Sequence, residues 1–105
     1  QDTLLMYTVT QPQRDASVFK GDTANFKCTF ERSEYVNYYL FWYRQKEGDV
    51  PEYVLQRSTT ETGHNSLEFH ESRFDAQIMG NSSVLNIQDV RVSDSAVYYC
   101  ALSLH

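Results

Sequence analysis

No apolar run in these 105 residues approaches the length of a membrane span, and the N-terminus lacks the basic-then-apolar order of a secretion leader. The expectation is a mature extracellular piece whose leader, and any anchor, lie outside the sequence. Basic residues are scarce: nine Lys and Arg stand against 14 Asp and Glu, for a net charge of −5 and a pI near 5.0. They are also scattered, so the clustered phosphate contacts on which nucleic-acid binding rests are missing. Cysteine is limited to Cys28 and Cys100, with no C-x-x-C pair and no histidine close by. That argues against redox-dithiol and metal-thiolate chemistry, and a structural disulfide implies an oxidising compartment. The four glycines make no phosphate-cradling loop, and no serine sits in a nucleophile elbow or an ordered triad. His64, Glu68, His70 and Glu71 fall close together, but two histidines with carboxylates specify little, and a solvated loop and edge strand is the better reading. No catalytic residue, cofactor or metal is expected. So short a chain has room for one core, and residues 1–105 are read as a single domain.

What the sequence does contain is short alternating segments separated by turn residues, with no sustained helical period competing. Over 22–30, Ala24, Phe26, Cys28 and Phe30 point one way while Thr23, Asn25, Lys27 and Thr29 point the other. One buried and one wet face follow from the two-residue period. Over 73–79, Phe74, Ala76 and Ile78 point inward; Gly80-Asn81 makes a turn, and Leu85 and Ile87 continue the core. Segments 3–10 and 17–20 read as edge strands split by a break at Pro12. Asn81-Ser82-Ser83 is an N-x-S sequon on the predicted turn, which makes Asn81 a glycosylation candidate.

One strand departs from the inside-out pattern. Over 39–45, an inward Trp42 carries Leu40 and Arg44 with it, which leaves Phe41, Tyr43 and Gln45 on the face that ought to be wet. Over 96–101, inward Ala96, Tyr98 and Cys100 leave Val97, Tyr99 and Ala101 outside. Pro51, Tyr53 and Leu55 are expected to line a neighbouring strand, with Pro51 and Tyr53 on the same outer side. An outward apolar, aromatic patch of this kind marks a protein interface.

Cys28 and Cys100 stand 72 residues apart with Trp42, the one tryptophan, between them and Tyr98 two residues before the second cysteine. Those are the marks of an immunoglobulin sandwich. Trp42-Tyr43-Arg44-Gln45, Gly48, Pro51, Arg73-Phe74 and Asp94-Ser95-Ala96-Val97-Tyr98-Tyr99-Cys100-Ala101-Leu102 together resemble an antigen-receptor variable domain. With Ser17-Val18-Phe19-Lys20-Gly21 and the Cys-Ala-Leu-Ser ending, the sequence is most similar to a T-cell receptor alpha or delta variable region of the immunoglobulin superfamily.

The resemblance implies an all-β, V-type immunoglobulin β-sandwich of two antiparallel sheets with Greek-key connections. It implies a Cys28–Cys100 disulfide with Trp42 packed on it, and a Tyr98 hydroxyl bonded back to upstream backbone. It places Phe41, Tyr43, Gln45, Pro51, Tyr53 and Tyr99 in a V–V interface with a beta or gamma variable domain, and Arg73 and Asp94 in a salt bridge closing the far end. Three loops, at about 32–39, about 57–63 and from near Leu102, would contact antigen. The residues implied are Arg32, Ser33, Glu34, Tyr35, Asn37 and Tyr38, then Arg57, Ser58, Thr59 and Thr60, then Leu102 and Ser103. The family's last strand, with its joining-segment Phe-Gly-x-Gly motif, has no counterpart before His105 and is expected to be absent. The implied function is recognition of peptide–MHC or a related ligand by a plasma-membrane receptor ectodomain. Two alternatives stay open on the residues alone: a non-rearranging innate or adhesion receptor V domain that binds a cell-surface protein, and a homodimerising structural V domain.

Overall fold

The computed structural model describes residues 20–30, 37–60 and 63–104. The strands expected at 3–10 and 17–20 lie outside the described residues, apart from Lys20, which sits in the turn before the first described strand. Seven strands are described: β1 (Ala24–Thr29), β2 (Tyr38–Gln45), β3 (Glu52–Ser58), β4 (His64–Asn65), β5 (Phe74–Met79), β6 (Ser82–Ile87) and β7 (Val97–Leu104). A short 3-10 turn at Val92–Asp94 leads into β7. The strands form two sheets, ordered β1-β6-β5 and β4-β3-β2-β7, and every pairing is antiparallel. This is the V-type immunoglobulin sandwich the residues imply.

Alternation builds the core. In β1, Ala24, Phe26 and Cys28 are buried while Asn25, Lys27 and Thr29 are exposed. Their register partners Ile87, Leu85 and Ser83 in β6 are buried on the same side. Phe74 and Ala76 of β5 add to this face. From the other sheet come Leu40, Trp42, Tyr98, Cys100 and Leu102, all at 1% exposure or less. Burying each such large apolar side chain stabilises by about 1.5–3 kcal/mol.

At the centre of the sandwich a disulfide and a hydrogen bond join the two sheets. Cys28 and Cys100 form a disulfide with Cα atoms 6.5 Å apart, inside the usual range. Trp42, opposite Cys100 in register, donates its indole N–H to Ser83 Oγ at 3.3 Å, so the buried hydroxyl and the buried N–H satisfy each other.

A bulge interrupts the alternation of β3. Trp42 pairs with Leu55 and Tyr43 with Tyr53, so Val54 is an extra residue in β3. This bulge reverses the parity of β3 beyond Tyr53. Leu55 therefore faces inward with Trp42, and both Val54 and Leu55 are fully buried.

Candidate functional site

The outer face of the four-stranded sheet carries a connected row of rings. Phe41 lies 6.4 Å from Tyr39, from Tyr43 and from Tyr53, centroid to centroid. Tyr43 stacks on its register partner Tyr99 at 5.8 Å. The His64 ring joins at the β4 edge, 6.0 Å from Tyr53. These side chains project outward because Trp42, between Phe41 and Tyr43, must point to the disulfide. Phe41, Tyr43, Tyr53 and Tyr99 are all half-buried, and Pro51 and Val50 at the margin are exposed.

The polar atoms of this face are arranged around its edges. The Tyr53 hydroxyl donates to Gln56 Oε1 at 3.3 Å and lies 3.2 Å from His64 Nε2. Gln45 Nε2 donates to the Asp49 carbonyl at 2.9 Å, which leaves the amide a second N–H and an oxygen for other bonds. Burial pushes the phenols of Tyr43, Tyr53 and Tyr99 above 10.0. Tyr43 adds to the upward push on the other two, while Arg57 works against it at Tyr53. These three phenols are therefore neutral at physiological pH.

At one end of the sandwich Arg73 meets Asp94 in an ion pair. Arg73 also donates to the carbonyls of Gln88 at 3.1 Å and Asp89 at 3.3 Å. Asp94 is buried and takes the Arg91 amide at 2.8 Å, while its own carbonyl accepts the Tyr98 hydroxyl at 2.6 Å. The corner before β7 is thus closed by the side chains of Arg73 and Tyr98 and the backbone amide of Arg91.

Among the described residues, several placements of the expected loop residues differ from expectation. Arg32, Ser33, Glu34 and Tyr35 lie outside the described residues. Asn37 is exposed and accepts a bond from the Thr59 hydroxyl at 3.3 Å, and Thr59 and Thr60 are exposed beside it. Tyr38 is not a contact residue. It opens β2 at 0% exposure, packs edge-on against Phe30 at 5.4 Å and donates its hydroxyl to the Gly80 carbonyl at 3.2 Å.

Leu102 and Ser103 are likewise corrected. β7 runs on to Leu104, so both are strand residues paired with Leu40 and Tyr39, and both are buried. Arg57 is corrected too. Paired with inward-facing Leu40, it reaches across to the other sheet, donating to the Ala76 carbonyl at 3.1 Å and pairing with Asp75 at 2.9 Å. It clasps the two sheets. Ser58, at the end of β3, is half-buried, its hydroxyl taking the Thr60 amide at 3.0 Å.

Residues 11–105 match the immunoglobulin V-set domain. The chain belongs to that family. It is 35% identical over 96 residues to T cell receptor alpha variable 38-1 of Homo sapiens, which covers 90% of this chain and 78% of the relative. Identity to T cell receptor alpha variable 38-2/delta variable 8, also of Homo sapiens, is 34% over the same length and shares. Ig kappa chain V region 120 of Oryctolagus cuniculus is 31% identical over 94 residues, covering 90% of this chain and 81% of the relative. The resemblance to T-cell receptor alpha and delta variable regions drawn from the Trp42 and Cys100 runs is borne out.

Two parts of this V-set domain were not anticipated. Arg44 pairs with Glu52 at 2.8 Å and lies over the Phe69 ring at 4.6 Å, and Phe69 in turn packs edge-on against Phe74 at 5.0 Å. The inward parity of Arg44 was the available signal, since an inward arginine needs a carboxylate partner. Phe69 lies in a turn region outside any alternating run, so nothing in its neighbours announced it.

Proposed function

We propose that this domain is the recognition module of a T-cell receptor alpha or delta chain. It pairs with a beta or gamma variable domain through the outer face of the four-stranded sheet. It presents its loop end, with Asn37, Thr59 and Thr60, to peptide–MHC or a related ligand. It works without catalysis, as a single variable domain over residues 1–105 on the extracellular side of the plasma membrane. The observation that carries the pairing is the connected row Phe41, Tyr43, Tyr53 and Tyr99 on an outward sheet face. Such a face is costly to leave in water and fits the apolar, tyrosine-rich centre of an interface.

The test is co-expression with beta and gamma variable domains, followed by sedimentation. A one-to-one complex is expected, and Tyr43→Asp and Tyr99→Asp are each expected to abolish it. Isolated from such a partner, the chain is expected to pair with itself about a two-fold axis, since that contact reuses one patch on both copies. Only monomer at high concentration, together with no binding of either partner domain through this face, sinks the reading.

A further inference from the structure

The two-residue turn between β5 and β6 belongs to the three-stranded sheet and not to the sheet that carries the aromatic face. Asn81-Ser82-Ser83 is the one Asn-x-Ser/Thr sequence in the chain. Gly80 holds φ of 63° at the first central position of the turn, a conformation glycine adopts at no steric cost. Asn81 then stands at the tip, exposed. The Phe30 amide donates to the Asn81 carbonyl at 2.9 Å, and the Tyr38 hydroxyl donates to the Gly80 carbonyl at 3.2 Å. Both bonds use backbone oxygens, so neither engages the Asn81 carboxamide. They fix the turn against Phe30 and Tyr38, the two residues that flank the first loop.

The hydroxyl of the sequon is in the opposite situation. Ser83 has 0% exposure, faces the core as the register partner of Cys28, and accepts the Trp42 indole N–H. A transferase that reads Asn-x-Ser must reach both the carboxamide and the hydroxyl two residues on. In the folded domain it reaches only the first.

We propose that Asn81 is an N-glycosylation site and that it accepts its glycan before β6 packs onto Trp42. Asn81 Nδ2 forms a bond to the anomeric carbon of an oligosaccharide carried on a polyprenyl pyrophosphate. The carbon–oxygen bond to the pyrophosphate breaks, and the polyprenyl pyrophosphate leaves with the amide proton. The glycan is rooted beside Phe30 and Tyr38, on the three-stranded sheet, and leaves the aromatic face of the other sheet open. The modification does not depend on what that face or the loop end binds.

The chain, given a secretion leader, is expressed in mammalian cells and mapped after enzymatic deglycosylation in heavy-oxygen water. Heavy oxygen at position 81 in most of the secreted chain is expected; an unmodified position 81 overturns the site. Asn81→Gln removes all the added mass, whereas Ser83→Thr keeps it; because mapping uses the wild-type chain, the result stands even where a variant folds poorly. The order of events is read with oligosaccharyltransferase and a lipid-linked donor. The reduced, unfolded chain is expected to accept glycan about tenfold or more faster than the folded, oxidised one, because exposing Ser83 requires opening the core. Equal rates overturn the claim that folding closes the site.

Discussion

Arg73 and Asp94 meet where the chain turns towards β7, and the aspartate they share with Arg91 and Tyr98 is almost wholly buried. Asp94 has a side chain 4% exposed and Arg73 one 18% exposed, so water screens the pair little. Removing one partner of a fully buried pair costs roughly 3–5 kcal/mol, because the other charge is left uncompensated. Arg73 keeps its bonds to the Gln88 and Asp89 carbonyls. Asp94→Ala is therefore expected to lose about 2–3 kcal/mol in a denaturant titration. A loss below about 0.5 kcal/mol would show the pair idle, as at an exposed surface.

Tyr98 acts on the same residue from inside the core. Its hydroxyl donates to the Asp94 carbonyl at 2.6 Å while its ring packs on Phe26 at 4.7 Å. Tyr98→Phe keeps the ring contact and removes the bond, and a loss of about 1–2 kcal/mol is expected. Because both changes loosen the same turn, Tyr98→Phe with Asp94→Ala should cost measurably less than the two single losses added. Strict additivity in the denaturation midpoints would show that the two bonds hold separate structures.

How far the sequence could be read depended on whether a residue's direction is local or tertiary. Ala24, Phe26 and Cys28 face inward by backbone period alone, and Phe41 and Tyr43 face outward because Trp42 lies between them. Both are local facts, and the two sheets follow from them. Leu55 escaped because the extra Val54 reverses parity, and a bulge leaves no mark in a single sequence. Tyr38, Leu102 and Ser103 were placed in loops because strand ends are set by pairing partners, which only the register of β2 and β7 reveals. The reach of Arg57 to Asp75 depends on which strand of the other sheet lies nearby, a relation no window of sequence contains.

Gly63 tests the packing of the second loop. A Cβ built on it would stand 2.0 Å from the Gln56 carbonyl oxygen and 3.0 Å from the Arg57 Cα, both backbone atoms of β3 that cannot swing aside. Gly63→Ala should therefore push the backbone at Gly63 away from β3 and disturb the Gln56–His64 pairing. A loss of about 1–3 kcal/mol is expected, with amide shift changes at Thr59 and Thr60. An unchanged melting curve and unchanged shifts would mean that the loop can yield at no cost.

The phenols of the outer face should make both folding and pairing weaken in alkali. Burial raises the values of Tyr43, Tyr53 and Tyr99 above 10.0, the value of an unfolded tyrosine. A group whose folded value is raised contributes stability that is fully present below the unfolded value and is lost as pH rises through the folded one. Stability should therefore hold up to about pH 10 and then fall, as the unfolded chain gives up protons that the folded face retains. A partner domain covering the face removes more water from the same rings and should raise their values further. Pairing with a beta or gamma variable domain should then weaken over that same alkaline window. Phenolate absorbance, titrated for the chain alone and for the complex, reads both effects. Tyr43→Phe with Tyr99→Phe should remove the part of the late-ionising signal that those two phenols contribute and flatten the pH dependence of pairing. If every phenol titrates together near 10.0, with or without a partner, then these rings are neither desolvated in the free domain nor covered in the pair.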